Sequence, residues 1–298
     1  MKLKLGVNCG FATNRYIEPE VWGEIVGKKL RLRSVQFVAD LLNPFFPEDY
    51  IDSQIKRILE SSVRNEFSID SIFLSSQTRT NHLMSPDEQA RKIWLDWFKK
   101  LLLIGARLGV KTGGGHFGIL TVDTANDPDK KKRTVDAGIK AWQDLTYFVK
   151  DLGYESLIFE PMSIPREFAC TISETRELME RINTDCGVPM LLCLDVGHAP
   201  HPDERDPYMW LLELGEFSPV VHIQQSVLDK SMHWPFTPEY NQQGIIRAEK
   251  VIQCLEKSGC LESILIFELY HKEHWDSDWK VIEDYQASVD YWRQYVKD

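Results

Sequence analysis

The chain has 298 residues, 43% of them hydrophobic, which is enough for a sizeable core, and a formal net charge of −10. That charge argues against a duplex nucleic-acid binder, which would offer a basic face to phosphates. Six scattered cysteines (Cys9, Cys170, Cys186, Cys193, Cys254 and Cys260) form no CxxC pair and fit a reduced, cytoplasmic protein, and no signal peptide or membrane-spanning run is visible. Neither nucleic acid nor a membrane is therefore an expected partner.

In chain order, a strand is expected at residues 3–8, and Pro19, in a favoured first-turn position, opens a helix to about residue 29. A second strand at 32–39 leads through the rigid Asn43-Pro-Phe-Phe-Pro47 loop into a helix at 49–66. A third strand at 68–74 precedes a polar loop with Arg79, Asn81 and His82. Ser85-Pro-Asp-Glu88 reads as a capping signature for a helix to about 108. The fourth strand and its exit, 109–116, hold three successive glycines before His116. There follow a long amphipathic helix at 128–152, a strand at 155–160, a helix at 173–183 opened by Ser-x-x-Arg, and a strand at 188–195. A short helix at 208–214 and a strand at 218–223 lead into a loop, 224–244, that is long for this pattern. A helix at 246–258, a strand at 262–268 and a closing helix at 279–296 complete the chain.

These are eight strand-then-helix units with short, nearly continuously apolar strands, as parallel strands buried on both faces require. Eight such units imply closure into a (β/α)8 TIM barrel, one domain over residues 1–298. An open doubly wound sheet would need a Gly-rich phosphate turn after its first strand, and Asn8-Cys-Gly-Phe-Ala12 does not match GxGxxG.

Each of the last four strands closes on a potential metal ligand: Ser156-Leu-Ile-Phe-Glu160, Met190-Leu-Leu-Cys-Leu-Asp195, Pro219-Val-Val-His222 and Ser263-Ile-Leu-Ile-Phe-Glu268. In a barrel the C-terminal strand ends gather at one mouth, so these four side chains are expected in one pocket. A lone Glu at a strand end is usually a loop residue or a helix cap. Four ligands in succession, each ending an apolar run, point instead to a shared site. The oxygen-rich set favours Mn²⁺ or Mg²⁺, with Co²⁺ as an alternative, over a structural zinc. Three carboxylates without a cation would repel, and some would be driven to protonate. His198, three residues past Asp195, is expected to face the substrate or to support a ligand.

Glu160, Leu194-Asp195-x-Gly197-His198, Val221-His222 and Phe267-Glu268 resemble the pattern of the xylose-isomerase-like TIM barrels. The nearest branch is the sugar isomerases and epimerases related to D-tagatose 3-epimerase, and the resemblance covers nearly the whole chain. It implies one metal, usually Mn²⁺, on Glu160, Asp195, His222 and Glu268. It also implies Glu160 and Glu268 as the acid/base pair, and His198 as a substrate contact. Ketose epimerases of that branch usually carry an Arg six positions past the ligand matching His222; here that position is Leu228, which argues against a free ketohexose. His222-Ile-Gln-Gln-Ser226 and His233-Trp-Pro-Phe-Thr237 look instead like the tetrulose-phosphate epimerases of erythritol catabolism, the D-erythrulose 1-phosphate 3-epimerase type.

The implied reaction inverts C3 of a ketose, best a tetrulose phosphate, through an enediolate, one Glu removing a proton and the other returning one from the opposite face. An aldose–ketose isomerase of the same family is an alternative, since it differs only in where the proton returns. A multi-zinc phosphodiesterase of the endonuclease IV type, with His82 and His116 as extra ligands, is a weaker one. The acidic charge and the lack of an Asp-x-His pair after His222 count against it. Gln224, Lys230, His233 and His116 are the expected substrate contacts, and His271, Lys272, Arg79 and His82 are further candidates for a phosphate handle. The triple glycine suits either close approach to a ligand or a tight barrel corner. Phe11, Trp234 and Phe236 suit the walls of the mouth, and Tyr291, Trp292 and Tyr295 suit either helix packing or a homo-oligomer contact.

Overall fold

The computed structural model describes residues 1–75, 78–198, 203–273 and 278–297. Its strands are β1 (Lys2–Asn8), β2 (Ser34–Val38), β3 (Ser68–Phe73), β4 (Thr112–His116), β5 (Ser156–Glu160), β6 (Met190–Asp195), β7 (Val220–Ile223), β8 (Gln225–Val227), β9 (Lys230–Trp234) and β10 (Glu262–Phe267). Eight of them close into a parallel barrel in the order β1-β10-β7-β6-β5-β4-β3-β2, and β8 and β9 form a separate antiparallel hairpin. Helices α1 (Pro19–Glu24), α2 (Glu48–Asn65), α3 (Glu88–Arg107), α4 (Val122–Asn126), α5 (Pro128–Lys150), α6 (Ile172–Asn183), α7 (Pro207–Leu214), α8 (Pro238–Gln243), α9 (Ala248–Ser258) and α10 (Asp278–Trp292) surround it.

The eight expected barrel strands are all present, and the differences lie at element ends and in the additional α4, β8, β9 and α8. The helix opening at Pro19 continues past α1 as a π-helical turn, Ile25–Lys29. The cap of α3 is Asp87 rather than Ser85: the Asp87 carboxylate accepts from the Gln89 and Ala90 amides. Likewise Thr171, not Ser173, caps α6, its hydroxyl accepting from the Glu174 amide. The long loop after β7 is ordered by the β8–β9 hairpin and α8. On the closing helix, Trp292 is fully buried against Phe236, with ring centroids 5.3 Å apart, so it packs α10 onto the barrel.

Most of the core fills the shell between strands and helices. A smaller cluster of Phe73, Ile158, Cys193, Val220 and Ile266 fills the barrel interior. Side chains two residues apart on a strand share a face. The residues two positions on from Ile158, Cys193, Val220 and Ile266 are Glu160, Asp195, His222 and Glu268. The four expected ligands therefore form the next layer up, standing on an apolar floor. The glycine run serves packing: a Cβ would lie 2.6 Å from Ile72 Cγ2 at Gly113, 1.8 Å from Ile158 O at Gly114 and 2.5 Å from Leu74 Cδ1 at Gly115. The tight-corner reading of that motif is the one the structure supports.

Candidate active site

Glu160, Asp195, His222 and Glu268 converge, with one ligand atom from each lying within 4.8 Å of all the others. β5, β6, β7 and β10 are consecutive in the barrel, so the four side chains make an arc with His222 between the two glutamates. His222 Nδ1 is 3.1 Å from Glu160 Oε1 and 3.3 Å from Glu268 Oε2. On its other side, Nε2–H donates to Gln36 Oε1 at 2.7 Å. That bond holds the neutral ring in the tautomer whose lone pair, on Nδ1, faces the carboxylates, as a metal-binding imidazole requires. Asn8 Nδ2 donates to the same Gln36 oxygen at 2.8 Å and to Glu268 Oε1 at 3.3 Å.

Asp195 is fixed from behind. Gln224 Nε2 donates to both of its oxygens at 2.9 Å, and the Gly197 amide donates to Oδ1 at 2.6 Å. A Cβ at Gly197 would fall 2.4 Å from Gln224 Cδ, so the glycine in Asp195-Val-Gly-His198 makes room for that clamp. His198 Nδ1 lies 3.4 Å from Glu160 Oε1 and makes no hydrogen bond, while its Nε2 is 3.7 Å from Asp195 Oδ2. Asp195, His198 and His233 form a second, overlapping group of possible ligands.

Electrostatics bear on whether a cation fits here. Burial disfavours charge on His222, yet Cys193, Glu268 and Glu160 outweigh it and raise its proton affinity well above that of an ordinary imidazole. Burial is likewise overcome at Glu268, where His222, His233 and His198 hold the carboxyl below the usual carboxylate range, and at His198, raised by Asp195, Glu160 and Glu268. Among protein groups alone, the charge of Glu268 is met by protonated imidazoles beside it, whereas that of Asp195 is met by amide donors. A divalent cation would replace those protons, and the donor set fits one.

The site opens into a cavity of about 800 Å³, lined on the ligand side by Glu160, Glu268, His198, His233 and His116. Of the expected substrate contacts, His198, His233 and His116 face it, whereas two others do not. Gln224 is fully buried behind Asp195, its amide spent on that carboxylate and its Oε1 accepting from the His233 amide. Lys230 is exposed on the outer hairpin strand β9. Nε2 of His116 is shared between His82 Nε2, 2.9 Å away, and Thr80 O, 3.1 Å away. Burial pushes His116 down to about 4 and keeps His82 neutral as well. Reading the sequence missed Asn8 and Gln36; the available signal was an amide inside an apolar strand, as in Ser34-Val-Gln-Phe-Val38.

Barrel and donor set together describe a TIM-barrel protein with a site for a divalent cation at its mouth. Residues 28–295 match the xylose isomerase-like TIM barrel family, and the chain belongs to that family. It is 31% identical over 301 residues to a D-erythrulose 1-phosphate 3-epimerase from Brucella abortus, a match covering 99% of this chain and 97% of that one. Its fold is similar to that of a candidate xylose isomerase from Rhodospirillum rubrum, with a TM-score of 0.91 at 24% identity, covering 99% and 100% of the two chains. It is also similar to D-psicose 3-epimerase from Clostridium cellulolyticum, solved with D-tagatose, with a TM-score of 0.76 at 15% identity over 99% and 100%.

Proposed function

We propose that this protein is a metal-dependent carbohydrate epimerase that inverts C3 of a ketose phosphate, best a tetrulose phosphate, in the cytoplasm as a step of erythritol catabolism. The observation that carries the reading is the pair Glu160 and Glu268, flanking His222 and both facing the cavity. The Brucella relative's activity supports the substrate class. Glu160, Asp195, His222 and Glu268 would hold the cation: the oxygen-rich set suits Mn²⁺ or Mg²⁺, and the family resemblance favours Mn²⁺. When bound, that ion supplies Lewis-acid stabilisation of the negative charge developing on the substrate oxygens.

The protein's own part is proton handling. A single carboxylate cannot strip a proton from one face of C3 and return one to the other, but two on separate strands can. One of Glu160 and Glu268 takes the C3 proton and the other delivers a proton from the far side. His198 and His233 line the same cavity and would orient substrate hydroxyls. The apolar floor of Ile158, Cys193, Val220 and Ile266 keeps water from below, which strengthens every charge interaction above it.

The test is to offer C4–C6 ketoses and their phosphates to the Mn²⁺-loaded protein in deuterated water and follow the products by NMR. Deuterium at C3 with inverted configuration is expected. Solvent deuterium at C2 of an aldose product would establish an isomerase instead. Metal analysis runs in parallel: about one ion per chain is expected, and two or three zinc ions would favour a hydrolase.

A further inference from the structure

The ketose-phosphate reading leaves open which residue reads the phosphate. The hairpin after β7 supplies no lysine or arginine to the cavity: Leu228 is 53% exposed at its turn, and Lys230 is exposed and lies off the cavity wall. Cavity-lining cations come instead from the loops after β10, β1 and β3, namely Lys272, Arg15 and Arg79. These three loops are near one another because β10, β1, β2 and β3 are consecutive in the closed barrel.

We infer that Arg15 is the anchor for the substrate's phosphate, with the Thr13 hydroxyl and Lys272 on the same wall completing the subsite; this rests on the ketose-phosphate reading above. The Arg15 side chain is only 9% exposed although it lines the cavity. A guanidinium buried to that degree requires anionic company. Its carboxylate partner, Asp278, lies 3.3 Å from Nε and is itself 71% exposed. Its Nη2 donates to His271 O at 3.2 Å, and Nη1 has no protein partner among the described residues.

The group is held in place before any ligand arrives. His271 Nε2 pairs with Asp284 Oδ2 at 3.0 Å, Lys280 donates to that same oxygen at 3.0 Å, and Tyr16 Oη donates to Asp278 O at 2.7 Å. Asp278, Lys280 and Asp284 all belong to α10, so one helix orients the arginine. Beside this frame, Thr13 Oγ1 is buried on the cavity wall without a hydrogen-bond partner.

Arg79 is the weaker candidate because it already pairs with Glu167, whose side chain is 7% exposed, so a buried carboxylate neutralises it. Two acids share the wall. Glu273 accepts from Asn14 Nδ2 at 2.9 Å, and Asp40 follows β2. A fixed guanidinium with an open edge suits the bidentate geometry of a phosphate monoester.

The experiment compares Mn²⁺-loaded wild type, Arg15→Gln, Arg15→Lys and Arg79→Gln on a tetrulose phosphate and on the free tetrulose, with inorganic phosphate as a competitive probe. Arg15→Gln is expected to lower kcat/KM for the ester about 100-fold more than for the free sugar, chiefly through KM. Arg15→Lys should recover part of that loss, and phosphate should inhibit wild type more strongly than Arg15→Gln. Melting curves and Mn²⁺ titration verify that each variant is folded and loaded. Equal loss on both substrates means that Arg15 only packs the loop, and selective loss in Arg79→Gln alone moves the anchor; either overturns the assignment while a wild-type preference for the ester keeps the ketose-phosphate reading. A wild type with no preference for the ester, and no inhibition by phosphate, overturns both.

Discussion

The two halves of the barrel mouth differ in kind. β5, β6, β7 and β10 end in Glu160, Asp195, His222 and Glu268, four groups that crowd around one point. On the other half, β1 and β2 present the amides of Asn8 and Gln36, and the loops beyond β1 and β3 present Arg15 and Arg79. The first half concentrates negative charge and so calls for a cation. The second supplies neutral hydrogen bonds to the first and positive charge to the cavity. The contrast teaches that the amides belong functionally to the acidic half: Gln36 sets the His222 tautomer from across the barrel, and Asn8 braces Glu268. A substrate lying across the mouth would meet the cation and the two glutamates at one end and arginine at the other.

The sharpest way to break this contrast is at the acidic half. Glu160→Gln and Glu268→Gln should each reduce epimerisation about 10³-fold, the scale of lost general acid–base catalysis, while a ketose analogue still binds. Initial rates followed by NMR, with calorimetric binding of the analogue, check this; near-normal turnover in either variant would defeat the two-carboxylate scheme.

The boundary between the halves, at His116, has a stability signature. His116 titrates at about 4 in the folded chain against 6.5 for an ordinary imidazole, because burial disfavours its charge. Between those values the unfolded chain binds more protons than the folded one, so stability falls as pH drops from about 6.5 towards 4. The shift corresponds to at most about 3 kcal/mol. Urea unfolding across that window should show the decline, and His116→Phe should make it shallower, with His82, also kept neutral by burial, carrying the remainder. An unchanged slope in the variant would place the effect elsewhere.

The smallest expected effects come from the supports. Gln36→Leu removes the acceptor that fixes the His222 ring, and Gly197→Ala drives a methyl into the Gln224 clamp on Asp195. Each should weaken Mn²⁺ binding about 10- to 100-fold by isothermal titration, with the barrel intact by circular dichroism. Wild-type affinity in both would show that the ligands orient themselves without help.

The sequence by itself determined the barrel and its acidic arc. Parallel strands buried on both faces must be short apolar runs, and a carboxylate or imidazole that ends such a run is visible as a break in hydrophobicity, as at Phe159-Glu160 and Phe267-Glu268. The register that puts those breaks at one level, directly above Ile158, Cys193, Val220 and Ile266, follows from strand period and barrel closure. Only the tertiary structure decided which residues stand behind the ligands and which reach the cavity. Gln224 sits beside His222 in the chain yet turns to Asp195, whereas Arg15 is remote from every ligand in sequence and is brought to the wall by the packing of its loop against α10. Such side chains carry no local hydrophobic signature, and their partners are set by neighbouring strands and helices far away along the chain.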